Sequence, residues 1–174
     1  MIKKIQNRVV GTKSPTFIIA EAGVNHDGEM KKALMLVDFA KKAGADAVKF
    51  QTYEPKRLLR EDAEKPEYQK INVPKESQFE MLERLNFSIE DLVNVIKYGK
   101  SKGIVVFSTP YDEKSADDLE KIGVSVFKLA SIEVVNHPFL KHMARKNKRV
   151  ILSTGLSNEK EIDGAVSVFK KYGS

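Results

Sequence analysis

The chain has 174 residues, 41% of them apolar, and its 30 Lys and Arg against 24 Asp and Glu give a formal charge of +6. That length supports one or two domains, and the absence of cysteine excludes disulfides and thiolate metal sites. The lysines are dispersed among acids, not clustered with aromatics, which argues against nucleic-acid binding. No run nears the ~18–20 apolar residues of a membrane span, and Met1 to Arg8 is too polar for a signal peptide, so the expectation is a soluble cytoplasmic protein.

Residues 1–14 place Ile5, Val9 and Val10 around Gly11 and read as a hairpin leading into the domain proper, residues 15–174. From there strand and helix patterns alternate. The first apolar run, Thr16 to Ala20, leads into Glu21. Met30, Ala33, Leu34, Val37 and Ala40 then recur at helical spacing within Glu29 to Ala43. A second strand covers Ala47 to Gln51. Residues 54–77 follow as a long polar insert with Pro55, Pro66 and Pro74, and a stretch of that length suits a substrate-covering loop. Ser88 can cap a helix carrying Leu92, Val95 and Ile96. The third strand, Ile104 to Phe107, runs into Ser108 and Thr109. Asp112 can cap the next helix. Val126 to Ala130 forms the fourth strand and ends at Ser131, and Asn136 can cap the helix after it. Val150 to Leu152 forms the fifth strand, runs into Ser153 and Thr154, and precedes a helix for which Ser157 is the expected cap. Gly44, Gly103, Gly123 and Gly173 stand where left-handed turns end such helices. Five βα repeats imply a parallel sheet.

Parallel strands deliver their carboxyl ends to one face, where ligands bind in α/β proteins. Glu21 follows an apolar run, and a carboxylate there is costly unless it is paired or useful. Strand alternation puts Lys49 and Gln51 on the face opposite Val48 and Phe50, and Lys128 is similarly embedded between Phe127 and Leu129. An inward ammonium needs an anion nearby. Either Glu21 pairs with the lysines structurally, or the lysines hold a substrate's phosphate or carboxylate. Desolvation also suits a lysine to Schiff-base chemistry. The strand-end hydroxyls of Ser108, Thr109, Ser131, Ser153 and Thr154 suit phosphate oxygens. His26 reads as a hydrogen-bonded loop residue, and His137 and His142, five apart, are poorly aligned for a metal.

At these residues the chain resembles the sialic acid synthase family, which condenses phosphoenolpyruvate with N-acylated amino sugars to make nonulosonic acids. The matching stretches are Ile18 to Gly28 (IIAEAGVNHDG), Ala43 to Tyr53 (AGADAVKFQTY), Phe107 to Asp112 (FSTPYD), Phe127 to Ser131 (FKLAS) and Ile151 to Gly155 (ILSTG). The resemblance implies a (β/α)8 TIM-type barrel of which this chain carries about five βα units. It implies that Lys49, Thr109, Lys128, Ser131 and Ser153 bind phosphoenolpyruvate. It further implies that Glu21 and Gln51 face the sugar and the reacting carbons, with Glu21 as the catalytic group. N-acetylmannosamine or a relative would be the acceptor. The family's barrel continues beyond this length and contributes two histidines that bind a divalent metal, Mn2+ or Mg2+. It ends in an antifreeze-like domain that reaches the partner subunit of a homodimer. Those parts fall outside these residues, so the expected metal has no ligand here. Ser131-Ile132-Glu133 is closer to pseudaminic and spore-coat polysaccharide members than to the Ser-Gly-Asp of sialic and legionaminic ones. Three alternatives stand beside this reading: a Schiff-base aldolase using Lys128, a non-catalytic anion-binding module, and an open doubly wound sheet. The last is complete at this length but lacks its Gly-x-Gly-x-x-Gly loop.

Overall fold

The computed structural model describes residues 3–6, 8–72 and 75–173. An antiparallel hairpin of β1 (Lys3–Ile5) and β2 (Arg8–Val10) comes first, as the clustering of Ile5, Val9 and Val10 predicts. Strand–helix units then follow in order: β3 (Ile19–Gly23) and α1 (Met30–Lys42), then β4 (Ala47–Thr52). The insert contains α2 (Pro55–Leu58) and α3 (Glu67–Asn72) and leads to α4 (Gln78–Leu85). The remaining units are α5 (Ile89–Lys102), β5 (Val105–Pro110), α6 (Glu113–Lys121), β6 (Val126–Leu129), a 3-10 turn over Ser131–Val135, α7 (His137–Arg145), β7 (Arg149–Leu152) and α8 (Glu159–Tyr172).

All five strands after the hairpin pair in parallel and in sequence order. β3–β4–β5 form one ladder and β6–β7 another. β5 lies beside β6, but no ladder joins them among the described residues. The first strand stands at an edge, which excludes the doubly wound order.

The two faces of each strand meet different surroundings. Val48, Phe50, Val106, Phe127 and Leu129 pack outward against α1, α5, α6, α7 and α8 residues such as Val37, Val95, Leu119, Leu140 and Ala165. Phe50 and Phe127 are fully buried there, and burial of that kind contributes about 1.5–3 kcal/mol per side chain. Ala47, Val105, Phe107 and Val126 turn inward and form a second cluster, closed by Ile5 and Val10 of the hairpin. Toward the strand carboxyl ends the inward residues become polar: Glu21 opposite Lys49, then Gln51 opposite Thr109 one step further, with Lys128 on β6. The inner face is therefore an apolar floor carrying a charged upper layer.

Several local expectations change. Glu21 is the third residue of β3, not the residue after it, because pairing with β4 begins at Ile19↔Ala47. Upstream, the Ile18 amide donates to the Asp46 carboxylate at 2.8 Å, so Thr16 to Ile18 lie outside the ladder. The insert is partly helical. Pro55 opens α2, where its missing N–H costs nothing, and a capping box between Ser77 and Glu80 starts α4. Ser88, Asp112 and Asn136 cap as expected, but α8 is capped by Asn158, which accepts from the Glu161 amide in a capping box of its own. Ser157 lies one residue too early. Gly44, Gly103 and Gly123 are left-handed, whereas Gly173 has φ −96.

Candidate active site

The β3–β4 register sets Glu21 directly opposite Lys49. Their side chains form an ion pair of 2.7 Å, and the other carboxylate oxygen lies 3.9 Å from Lys128 Nζ. Three strands thus bring two ammonium groups to one carboxylate. The lysine side chains are 7% and 14% exposed, whereas Glu21 is 54% exposed. Burial pushes the Lys128 ammonium below the ordinary lysine range. Glu21 opposes that shift and Lys49 reinforces it.

Gln51 and Thr109 are register partners on β4 and β5. The Gln51 side-chain amide lies beside Gly23, where a β-carbon would sit 3.6 Å from Nε2, in ordinary van der Waals contact. Thr109 is buried, and its hydroxyl has no hydrogen-bond partner among the described residues. An orphaned hydroxyl in a native interior calls for a ligand or water. Ser131 opens the 3-10 turn after β6. Ser153 directly follows β7, its amide donating to the Leu129 carbonyl at 3.1 Å. Both serines are half-buried and share the strand-carboxyl end with the lysines, by position along their strands rather than by contact. Ser108, also singled out by its strand-end place, faces outward and bonds the Thr52 hydroxyl at 2.7 Å.

Glu133 is a buried carboxyl on the 3-10 turn that sequence reasoning used only for family comparison. Burial raises its pKa, and a hydrogen bond from the Asn136 amide at 2.8 Å opposes the rise. A carboxylate two residues past a strand-end serine was the available signal. His26, expected as a loop residue, is fully buried. Its Nδ1 accepts from the Gly28 amide at 3.0 Å and its ring lies 4.4 Å from that of Phe87. Burial holds its pKa low, against Asp27 and Asp91.

The insert folds back toward this end of the strands. Tyr53 donates to the Leu82 carbonyl at 3.3 Å, Lys65 to the Glu76 carbonyl at 2.8 Å, and Arg57 pairs with Asp112 at 2.9 Å. At the opposite end, a cavity of about 530 Å³ is lined by Arg8, Lys41, Asp46 and Lys100. Its lysines belong to the last turns of α1 and α5, where cations offset the carbonyl end of the helix, so that cavity is a structural feature.

Among the described residues no three His, Cys, Asp or Glu side chains gather at metal-binding distance. His142 is instead bonded to Asp117 at 2.7 Å, and His137 packs against Gly164. These residues do not fit a divalent ion. No helix of the described residues is long and apolar enough to cross a membrane.

The sequence profile of the NeuB family matches residues 36–174. The chain belongs to the NeuB family. Among its curated relatives, N,N'-diacetyllegionaminic acid synthase of Legionella pneumophila is 45% identical over 93% of this NeuB-family chain and 46% of its own length. Spore coat polysaccharide biosynthesis protein SpsE of Bacillus subtilis is 37% identical, over 98% and 45%. Human N-acetylneuraminate-9-phosphate synthase is 32% identical, over 87% and 42%. The chain spans about half the length of these relatives. The crystal structure of N-acetylneuraminic acid (sialic acid) synthetase from Leptospira borgpetersenii, in complex with citrate, superposes with a TM-score of 0.84 at 32% identity. That match covers 99% of this chain and 56% of the other. A truncated 3-deoxy-D-arabino-heptulosonate 7-phosphate synthase from Thermotoga maritima, at 12% identity and a TM-score of 0.68, shares the fold. The fold is thus α/β of the TIM-barrel type. Overall identity to the legionaminic acid synthase exceeds that to SpsE and to the 33% identical pseudaminic acid synthase of Campylobacter jejuni, opposite to the local cue of Ile132-Glu133.

Proposed function

We propose that this chain carries the phosphoenolpyruvate-binding part of a nonulosonic acid synthase. In this reading residues 15–174 are about five of eight βα units and residues 1–14 are a lead-in. The observation that supports it most is the convergence of Lys49 and Lys128 on one carboxylate, above an apolar floor and on the ladder that bears the orphaned Thr109 hydroxyl. Two ammonium groups, one buried and one partly buried, suit a phosphate and a carboxylate on one small molecule, through charge-assisted hydrogen bonds. Thr109, Ser131 and Ser153 supply donors to phosphate oxygens, and the helical insert covers the site.

In the reaction, carbon 3 of phosphoenolpyruvate attacks the aldehyde of an open-chain N-acylated amino sugar, N-acetylmannosamine or a relative. Water adds at carbon 2 and phosphate leaves. Lys49 and Lys128 hold the anionic groups through these steps. Glu21, exposed and fixed to β3, faces the incoming sugar and handles a hydroxyl proton, with Gln51 beside it. The relatives named as legionaminic, pseudaminic and N-acetylneuraminate-9-phosphate synthases support this class. In the whole enzyme a divalent metal held by histidines outside these residues, and a homodimer, belong to the same proposal, as does a cytoplasmic location.

Calorimetric titration with phosphoenolpyruvate tests the reading. The chain should bind it, and Lys49→Met and Lys128→Met should each weaken binding at least about tenfold, the loss of one charge-assisted contact. No binding by the unmodified chain would overturn the proposal.

The depressed Lys128 ammonium favours a second reading, a Schiff-base aldolase. Borohydride in the presence of pyruvate would fix a covalent adduct on Lys128 in that case and none in the first.

A further inference from the structure

We propose that Glu21 is a charge filter: its carboxylate occupies the position between Lys49 and Lys128 that a substrate anion takes, so that only an anion of two or more charges displaces it. This rests on the reading of the two lysines as the anion subsite.

The two ammonium groups already share one carboxylate, at 2.7 Å and 3.9 Å. An anion arriving at both lysines meets that carboxylate first. The three groups differ in freedom. Lys49 is buried and Lys128 only slightly exposed, with side chains 7% and 14% exposed, whereas the Glu21 side chain is more than half exposed and has the most room to move. The carboxylate therefore turns outward into water at little desolvation cost, and the lysines stay in place. Its backbone stays too, held in the β3–β4 ladder.

Charge decides which ligands succeed. A monocarboxylate replaces one negative charge with one negative charge. It gains no Coulomb energy and loses the advantage of a tethered competitor, whose effective concentration is high. A sulfate or a phosphate ester brings two charges against the same pair of ammonium groups and gains in proportion. Glu21 also serves the resting protein. Burial and the neighbouring Lys49 charge push the Lys128 ammonium below the ordinary lysine range, and the Glu21 carboxylate opposes that shift.

The test is titration of the chain with sulfate and with acetate, each a probe with fixed charge near neutral pH. The unmodified chain should bind sulfate and not acetate at millimolar concentration. Glu21→Gln should bind sulfate about tenfold tighter and acquire acetate binding, while Glu21→Asp should keep the discrimination. Thermal unfolding of each variant checks that it folds. If Glu21→Gln does not fold, the carboxyl carbon resonance of Glu21 in the unmodified chain gives the same answer, since it should shift as sulfate is added. Sulfate binding that is unchanged or weaker in Glu21→Gln, or a Glu21 resonance that does not move, overturns the filter while leaving the anion subsite standing. If Lys49→Met binds sulfate and phosphoenolpyruvate as well as the unmodified chain does, the subsite falls and the filter with it.

Discussion

Glu21 and Lys49 are cross-strand partners whose side chains meet at 2.7 Å, yet one is more than half exposed and the other almost fully buried. This asymmetry separates the effects of removing each. Lys49→Met takes a charge out of the interior and leaves an exposed carboxylate that water solvates. Glu21→Ala leaves a buried and a partly buried ammonium group without this counter-charge. Glu21→Ala should therefore lower stability by about 1–3 kcal/mol, and Lys49→Met by distinctly less. Urea unfolding of the two variants checks the order.

Turnover is expected to separate the same residues differently. On the proposed role of Glu21 as the proton-handling group, Glu21→Gln in the whole enzyme should reduce kcat by about two to four orders of magnitude. Lys49→Met should instead raise KM for phosphoenolpyruvate. Steady-state phosphate release with both substrates varied distinguishes the two patterns.

Helix α8 offers a test of capping. Asn158 accepts from the Glu161 amide, and the Glu161 carboxylate returns the contact to the Asn158 amide at 2.9 Å. Asn158→Ala should cost about 1 kcal/mol, and Ser157→Ala almost nothing. Thermal melts of the pair suffice.

Glu133 makes stability depend on pH. Its carboxyl is raised above the ordinary value of 4.5 by burial, so the folded protein binds its proton more tightly than the unfolded chain does. The resulting stabilisation is complete below the unfolded pKa and disappears as pH rises through the folded one. Glu133→Gln, which stays neutral, should flatten that segment of the curve and be the more stable protein above it. Melting temperature against pH, for both proteins, gives the comparison.

Two glycines should respond unequally to alanine. Gly28 has φ +76, and a β-carbon there would stand 2.4 Å from the Arg84 carbonyl oxygen; Gly44 has φ +82 with nothing within 4 Å. Gly44→Ala should cost about 1 kcal/mol, from backbone strain alone. Gly28→Ala should cost more, because the loop after β3 must also leave α4. Unfolding midpoints rank them.

Much of the fold and part of the site could be read from residue patterns, and the physical reasons divide cleanly. Strand alternation is strict, so Lys49 and Gln51 could be placed opposite Val48 and Phe50 from their spacing, and the structure brings Lys49 and Lys128 together at Glu21; the adjacent hydroxyls Ser108 and Thr109 were read as one group, and alternation sends Ser108 outward. Helix starts with a single plausible cap, such as Ser88 and Asp112, were legible; at Ser157-Asn158 two candidates adjoin, and only the Glu161 partner three residues on decides. Helix α4 was hidden because its eight residues follow a proline-rich polar stretch and its signal is local, the Ser77–Glu80 box. The onset of β3 depended on Asp46, 28 positions from Ile18, which no local pattern announces. Glu133 could be seen in the sequence as a carboxylate, but its burial is a property of tertiary packing.

Among the described residues no ladder joins β5 and β6, so the polar layer rests on two separately framed halves. Glu21, Lys49, Gln51 and Thr109 ride on one hydrogen-bonded unit, and Lys128, Ser131 and Ser153 on or beside the other. Within that layer, the 3.9 Å approach of Lys128 to Glu21 is the ion pair that spans the join. A small molecule gripped by both lysines would act as a rivet across the join, tying the two hydrogen-bonded units together. Its arrival would then register far from the charges themselves, as slower amide exchange along the facing edges of Val105–Pro110 and Val126–Leu129.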